Sequence, residues 1–177
     1  MFDCTLVEMS VVNKPKVSKA IALTYGVLFA FIASVSTFFL YTAFFTPLGL
    51  GGVIASAVSA LVGMIMLLIF ASLYRTRYIL TSKELVIRTT ILIGGSKTIP
   101  LATIESVEKT MLPFGIKLFG ASFHGGYYYI PSLGRAFLAI TNFDNGLLIK
   151  TLRGNYVITP SNPLGFKEAI EARKKEI

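Results

Sequence analysis

The stretch LLIFASLYRTRYILTSKELVI, residues 67–87, changes character in its middle and decides how the rest of the chain is interpreted. Up to Tyr74 it is a run of side chains that could lie in a hydrocarbon environment. Arg75 and Arg77 follow at once, and from Tyr78 onward the pattern is typical of short strands separated by turns. The stretch therefore marks the point at which the chain leaves one environment and enters another.

Charged residues are scarce and unevenly placed. They make up 15% of the 177 residues, hydrophobic residues make up 54%, and the mean hydropathy is +0.69. No Asp, Glu, Lys, Arg or His lies between Lys19 and Arg75. A membrane helix needs about 20 apolar residues, so this block is long enough for two crossings. The helix breakers of FTPLGLGG, residues 45–52, divide the block and predict membrane helices at 21–45 and 53–74.

A signal peptide and a soluble helical hairpin are the two alternatives to membrane helices for the apolar block. Basic residues before it could belong to a signal peptide, but the apolar core of a signal is only about 7–15 residues long and is not followed by a second apolar segment. A buried helical hairpin of a soluble protein would show a polar stripe on each helix. Here the polar residues are Ser, Thr and Tyr, which bond back to the helix backbone in lipid. A membrane hairpin at residues 20–74, after an N-terminal arm of residues 1–19, is therefore favoured.

Basic residues flank the block on both sides, whereas the turn between the two helices has none. The predicted membrane-surface bases are Lys14, Lys16, Lys19, Arg75, Arg77 and Lys83. Because positively charged loops stay in the cytoplasm, we predict a multi-pass protein of the cell membrane with both termini cytoplasmic. The net charge of +8 then fits the anionic inner leaflet as a partner. Nucleic acid is not expected, since arginine-rich runs and a stacking motif are missing.

Small residues recur at helical spacing in both predicted helices. In lipid, small side chains let two helix backbones approach closely. The predicted helix-packing residues are Gly26, Ala30, Ala55, Ser59 and Gly63. Packing within one hairpin is the first interpretation, and a homo-oligomer that uses one of these faces is the alternative.

Residues 75–177 consist of short β-favouring runs separated by turn signals. The dipeptides at 94–95 and 145–146, Gly-Gly and Asn-Gly, favour hairpins because both positions accept positive φ. Near the end, Asn162 fits the N-cap of a helix with one apolar stripe, which needs a surface to cover. The sequence therefore predicts a small antiparallel barrel or sandwich that is followed by a C-terminal helix.

This order of elements resembles the pleckstrin-homology (PH) domain, and in particular the bacterial PH-like family. The resemblance is carried by YILTSKELVIRTT (78–90), IPLATIESVE (99–108), GIKLFGASFHGGYYYIPSLGRAFLAITN (115–142) and LLIKTLRGNYVITPSNPLGFKEAI (147–170). It implies an antiparallel barrel of about seven strands that is capped by a C-terminal α-helix, behind paired membrane helices. These motifs are structural, so they say much about the fold and little about the function.

Residues typical of an enzyme are missing from the sequence. There is no Gly-x-Ser-x-Gly elbow and no phosphate-binding Gly-Lys-Ser/Thr loop. His124 is the only histidine and Cys4 the only cysteine, so a disulfide within the chain and a cysteine-based metal site are excluded. We therefore expect no catalytic site, no cofactor and no metal. Tyr127 and Tyr129, which share one side of a strand while Tyr128 faces the other, are the candidate interaction surface.

The leading hypothesis is an integral membrane protein that displays a PH-like domain at the inner leaflet as a scaffold or protein-interaction module. Its partner would be an unknown protein or a second copy, bound through an exposed strand edge. One alternative is a lipid-binding module, which would need a basic or apolar cleft beside residues 127–129. The bases Arg77, Lys83 and Arg88 are too loosely spaced for the phosphoinositide site of some eukaryotic PH domains. Another alternative is an accessory subunit of a membrane transporter or enzyme complex.

Overall fold

The computed structural model describes the chain except for a few residues. The described residues are 10–47, 49–112, 114–120, 122, 124–144 and 146–177. Cys4, and Asn145 of the predicted Asn-Gly turn, lie outside them. The chain divides into two compact units, an apolar unit of Ser18–Ala71 and a β-unit that joins Met1–Val17 to Ser72–Ile177.

The apolar unit consists of two long helices, α1 (Lys19–Phe45) and α2 (Gly49–Leu73). Both are long and apolar enough to cross a membrane, with mean hydropathies of 2.0 and 2.6 in their most apolar windows. The Ser18 hydroxyl caps α1 by accepting a hydrogen bond of 3.2 Å from the amide of Ile21. Helix α2 begins at Gly49, four residues before the start predicted at residue 53, so the glycines at 51 and 52 lie within the helix.

The β-unit contains two sheets, of which the first has four antiparallel strands in the order β1–β2–β3–β4. These strands are β1 (Val11–Asn13), β2 (Arg77–Leu80), β3 (Glu84–Arg88) and β4 (Lys97–Pro100). Strand β1 comes from the N-terminal arm and pairs with β2, so that Val11 lies opposite Leu80. A strand of three residues is too short to show a hydrophobic period, which explains why no strand is predicted there from the sequence.

The second sheet has six strands in the order β5–β9–β10–β8–β7–β6. They are β5 (Ile104–Thr110), β6 (Ile116–Phe119), β7 (Gly125–Ile130), β8 (Gly134–Ala139), β9 (Gly146–Thr151) and β10 (Gly154–Ile158), and helix α3 (Pro163–Lys175) follows. The prediction of a mainly-β, PH-like fold with a C-terminal helix is confirmed. Three details differ from it: nine strands follow Arg75, β8 and β10 are parallel, and no ladder joins the two sheets among the described residues.

The main core lies between the two sheets and is closed by α3. Phe166 and Ile170 of α3 are buried against side chains from both sheets. Tyr78 is fully buried there, and its hydroxyl donates to the Ala139 carbonyl at 2.9 Å and accepts from the Thr159 amide at 3.2 Å. This tyrosine therefore ties the first sheet to the second.

Strands β5 and β6 form the two edges of the second sheet. These two strands are consecutive in the sequence but lie at opposite edges of the sheet. Leu112, which follows β5, packs on a second buried cluster. A side chain at Gly115 would come within 2.7 Å of the Tyr129 carbonyl, so glycine permits the close approach. Among the described residues, strand β6 pairs with β7 alone and forms one edge of the sheet.

Candidate functional site

Both connections to the apolar helices leave the β-unit at the same end. Strand β1 ends at Asn13, which lies opposite Tyr78 near the beginning of β2. Because Arg77 lies opposite Arg88, the turn after β3 is at this end as well. We call this the proximal end, and we call the opposite end, which holds the β2–β3 turn at Ser82, the distal end.

Turns of the second sheet converge on the proximal end. The hydrogen bond from Tyr78 to Ala139 places the end of β8 there, and Ala139 pairs with Gly125 at the beginning of β7. A side chain at Gly94 would come within 2.9 Å of the Gly126 backbone, so the β3–β4 turn lies against the β6–β7 turn. Strand β5 also ends here, because Thr110 pairs with the first residue of β9.

Three arginines line one cleft of about 440 Å³ at the proximal end. The residues that line it are Tyr74, Arg75, Arg77, Arg88, Thr89 and Thr90. Arg77 and Arg88 are direct cross-strand partners, an arrangement in which like charges repel. Among the described residues none of the three arginines forms an ion pair, and the buried Thr90 hydroxyl has no hydrogen-bond partner. We call this the arginine cleft.

The structure separates the six predicted membrane-surface bases. Arg75 and Arg77 line the arginine cleft, and Lys14 and Lys16 lie in the connection between β1 and α1. Lys19 is the first residue of α1, and Lys83 lies in the β2–β3 turn at the distal end. Arg88, which is not among the six predicted bases, lines the arginine cleft with Arg75 and Arg77. The sequence does contain a signal for this cleft. If β2 and β3 are paired residue by residue outward from the turn between them, Arg77 lies opposite Arg88.

Large apolar side chains are exposed in turns of the proximal end and at the adjoining end of β6. The exposed fraction is 89% for Ile91 and Met111, 74% for Phe119 and 51% for Phe143. Ile91 and Phe119 border a groove of about 640 Å³, together with Leu118 and a floor of glycines. An apolar groove of this kind is typical of a surface that binds a protein or a lipid.

The three consecutive tyrosines of β7 have three different environments. Tyr128 is buried in the second cluster, whereas Tyr127 packs against the main core and Tyr129 is 48% exposed. Two cations lie over the Tyr127 ring, with Arg135 Cζ at 4.5 Å and Lys97 Nζ at 5.1 Å from its centroid. Of the two predicted interaction residues, Tyr129 is therefore the one with a large accessible surface.

An apolar patch runs along the open edge of the second sheet. Ile116 lies opposite Tyr129, and both side chains are exposed. Phe114, just before the strand, is also exposed. We call Phe114, Ile116 and Tyr129 the edge patch. Only Tyr129 of this group is predicted from the sequence, because exposure at a sheet edge depends on strand order and no local pattern encodes it.

His124 lies in the β6–β7 turn and is buried. Its backbone amide donates to the Ser122 hydroxyl at 3.0 Å, and its ring lies 6.5 Å from the Phe143 ring. Burial lowers the pKa of His124, and the nearby Lys117 ammonium lowers it further. Lys117 donates to the Ser122 carbonyl and lies 5.7 Å from the Tyr128 centroid, and burial lowers its pKa as well. These contacts stabilise the turn.

The described residues contain no group of three or more metal-binding side chains. The absence of a catalytic site and of a cofactor stays a prediction from the sequence.

The two helices of the apolar unit contact each other through unequal faces. In α2, a side chain at Gly63 would come within 3.2 Å of Ile32 in α1, and Ser56 donates to the Ser36 carbonyl at 3.1 Å. Ala55 and Ser59 are half-buried on the same side of α2. Gly26 and Ala30 of α1 are exposed, and nothing lies within 4 Å of a side chain built at Gly26. In α1, larger residues contact α2 instead. One of them is Tyr25, whose ring centroid lies 4.9 Å from that of Phe70.

Fold and sequence together define a PH-like β-domain that is joined to a pair of membrane-length apolar helices. Two family models match the chain, and both are described as bacterial PH domain. One matches residues 76–174 and the other residues 20–118, which includes the two helices, so each covers more than half of the chain. The chain belongs to the bacterial PH domain family. No curated protein and no solved structure matches it significantly.

Proposed function

We propose that this protein is a non-enzymatic membrane anchor for a protein-interaction module. Its two helices cross the cell membrane, both termini are cytoplasmic, and the PH-like domain is displayed at the inner leaflet. There the domain binds a protein partner through the open edge of its second sheet. The single observation that carries the proposal is the exposed edge patch on a domain that is joined directly to membrane-length helices.

The length of the connection supports display close to the bilayer. Only Tyr74, Arg75 and Thr76 separate α2 from β2. A fully extended chain advances at most about 3.6 Å per residue, so Leu73 and Arg77 lie at most about 14 Å apart. The arginines at this connection, and the lysines before α1, favour the cytoplasmic side. The domain is thus held near the membrane and cannot diffuse away to meet a partner.

The edge patch supports binding of a protein strand or loop. An edge strand presents unpaired amide and carbonyl groups, which a partner strand can complete. Soluble proteins usually protect such edges with charges or proline. Strand β6 instead places Ile116, Leu118 and Phe119 at the surface, with Lys117 as its only charge. Apolar side chains along an open edge would provide both the hydrogen bonds and the buried area that a partner needs.

Photo-crosslinking in native membranes tests this proposal. A photoreactive amino acid at Ile116 or Tyr129 should give a discrete adduct with one protein, whereas the same group at the exposed Leu152 of the distal end should not. A proline at Leu118 should abolish the adduct, since it removes an amide and distorts the strand edge. Equal adducts at all positions, or none at the edge patch, would contradict the proposal.

The lipid-binding alternative makes a different prediction in the same experiment. A cleft of about 270 Å³ that is lined by Tyr127, Arg135 and Arg153 supports this alternative, which requires a basic or apolar cleft beside residues 127–129. If lipid is the main ligand, the adducts at Ile116 should contain lipid and no protein. A partner that co-purifies at fixed stoichiometry and has transport or enzymatic activity would instead support the accessory-subunit alternative.

A further inference from the structure

We propose that a cleft in the core-facing side of the second sheet binds an acidic side chain of the protein that pairs with β6. The cleft has a volume of about 270 Å³, and Tyr127, Tyr156, Arg135 and Arg153 are among the residues that line it. We call it the tyrosine cleft. The inference rests on the proposed function and deepens it by stating the chemistry of the partner, which is an extended segment with apolar residues and an Asp or Glu.

The tyrosine cleft and the edge patch lie on the same face of the second sheet. Tyr129 of the edge patch is the cross-strand partner of Ile116 in β6 and of Arg135 in β8. Directly opposed side chains of antiparallel strands point to the same side of a sheet. Neighbouring strands are about 4.8 Å apart, so the backbone of Arg135 lies about 10 Å from that of the edge strand. A partner segment at the edge is therefore close to the cleft.

The guanidinium group of Arg135 is held by the strand that lies between it and the open edge. Its Cζ lies 4.5 Å from the ring centroid of Tyr127, and Tyr127 belongs to β7, which separates β8 from β6. Stacking on an aromatic ring holds a guanidinium group in place and leaves its N–H edge available to a carboxylate. The cleft thus has a positioned donor on the side that faces the edge patch.

Cations surround the tyrosine cleft without a counter-charge. Arg135 and Arg153 line it, and Nζ of Lys97 in β4 lies 5.1 Å from the Tyr127 centroid. None of these three cations forms an ion pair with another described residue, and none of the described residues that line the cleft is acidic. Charge complementarity therefore favours an anionic group in the cleft.

The walls of the cleft are aromatic. The ring centroid of Phe137 lies 5.4 Å from that of Tyr127 and 6.3 Å from that of Tyr156. Phe137 is buried, whereas the two tyrosines are half-buried and accessible from the cleft. The methylene groups of an Asp or Glu would contact these rings, while the carboxylate accepts two parallel hydrogen bonds from an arginine. An acidic side chain therefore matches both the rings and the cations.

The size of the cleft favours a side chain over a complete lipid headgroup or nucleotide. Pockets for whole small molecules usually have volumes of about 300–1,000 Å³. The tyrosine cleft, at about 270 Å³, lies below this range. Because Tyr129 and Arg135 are direct neighbours, one protein segment can cover the edge patch with apolar residues and place an acidic residue in the cleft.

Selection from a peptide library tests the inference on the full chain. The protein is reconstituted in nanodiscs of phosphatidylcholine, and short random peptides displayed on phage are selected against it at physiological salt. Empty nanodiscs remove the peptides that bind lipid. We expect the selected peptides to combine apolar residues with an Asp or Glu. Replacing that residue by Asn or Gln should weaken binding roughly tenfold, which is the effect of losing a hydrogen-bonded charge.

Substitutions in the cleft show where the acidic residue binds. Arg135→Gln should weaken binding of the acidic peptide roughly tenfold, and Arg135→Lys should weaken it less. Arg135→Gln and the neutral peptide together should weaken binding no more than either change alone, because both remove the same interaction. Lys109→Gln is the matched control, since Lys109 is an exposed base of β5 at the opposite edge of the same sheet. Denaturation midpoints equal to that of the wild type would show that the variants are folded.

Each outcome decides the inference. It is overturned if no peptide is selected, if the selected peptides lack Asp and Glu, or if Lys109→Gln weakens binding as much as Arg135→Gln. Loss of peptide binding when phosphatidylglycerol is added to the nanodiscs would show that lipid occupies the cleft, which also overturns it.

The photoreactive group at Ile116 separates failure of the inference from failure of the proposed function. If this group captures a protein in native membranes but Arg135→Gln leaves peptide binding unchanged, the inference is wrong and the proposed function stands. If it captures no protein, the proposed function fails and the inference fails with it.

Discussion

Tyr78 offers the sharpest test of the β-unit, because replacing it with phenylalanine removes one buried oxygen and little else. The side chain has no exposed surface, and the ring packs in the main core near Phe166. Phenylalanine fills the same volume, so Tyr78→Phe creates almost no cavity. The change removes two hydrogen bonds, one to the Ala139 carbonyl and one from the Thr159 amide. Both lost bonds lie where the two sheets meet.

The expected cost follows from the groups that are left behind. A buried donor or acceptor without its partner costs about 1–3 kcal/mol. We therefore expect Tyr78→Phe to lower the free energy of unfolding of the β-unit by about that amount. The assay is denaturation of the full chain in mild detergent, followed by circular dichroism of the β-signal. Tyr129→Phe, at an exposed tyrosine of β7, is the control and should change the free energy by less than about 0.5 kcal/mol. Equal effects of the two substitutions would refute the reasoning.

The same variant predicts a dependence on pH. Burial raises the pKa of Tyr78 from its ordinary value of 10.0 to about 12, since an ionised phenol would be desolvated in the core. Between these two values the unfolded tyrosine loses its proton while the folded one keeps it, so the stability contributed by Tyr78 falls as the pH rises. The loss is about 1.4 kcal/mol for each pH unit of that window. The advantage of the wild type over Tyr78→Phe should therefore shrink above about pH 10 and stay constant below it. An advantage that grows with pH would contradict this.

Three further predictions concern single positions. Gly63→Leu should weaken the contact between the two helices of the apolar unit, whereas Gly26→Leu should not, because Gly63 faces the other helix closely and Gly26 does not. Crosslinking between the helices in detergent measures the contact, and equal effects of the two substitutions would contradict the packing. Gly125→Ala should destabilise the β-unit far more than Gly95→Ala, because a Cβ added at Gly125 would overlap the Ile93 carbonyl. At Gly95 there is room for a Cβ, and the cost is backbone strain of about 1–2 kcal/mol. Thermal denaturation ranks the two variants, and the reverse order would be evidence against the described β3–β4 turn. Asn162→Ala should cost about 1 kcal/mol, because its side chain caps α3 by accepting from the Gly165 amide at 3.1 Å, and an unchanged denaturation midpoint would argue against the cap.

The sequence predicts the helices and the fold class because these depend on patterns that are local or nearly so. A block without charge between Lys19 and Arg75 leaves few structures other than long apolar helices. Turn dipeptides such as Gly94-Gly95 set strand boundaries, and Asn162 fixes the start of α3. These signals require no knowledge of which strands are neighbours.

The candidate sites depend on strand order, which local patterns do not encode. Arg88 joins Arg75 and Arg77 only through the register of β2 and β3. Ile91 lies in an apolar run, yet it belongs to a one-turn helix and is almost fully exposed. The parallel pairing of β8 with β10 follows from a long-range contact that turn signals cannot reveal. Sequence patterns therefore predict the individual helices and turns, but they do not predict the sites that form where elements distant in the sequence come together.

Labelling of single cysteines in intact cells tests the central claim most directly. In a Cys4→Ser background, Thr46→Cys lies between α1 and α2, and Leu152→Cys lies on the exposed distal end of the β-unit. With a maleimide that cannot cross membranes, we predict that the cysteine at position 46 is labelled from outside. The cysteine at position 152 should be labelled only after the membrane is permeabilised. Labelling of position 152 in intact cells, with position 46 protected, would contradict the account.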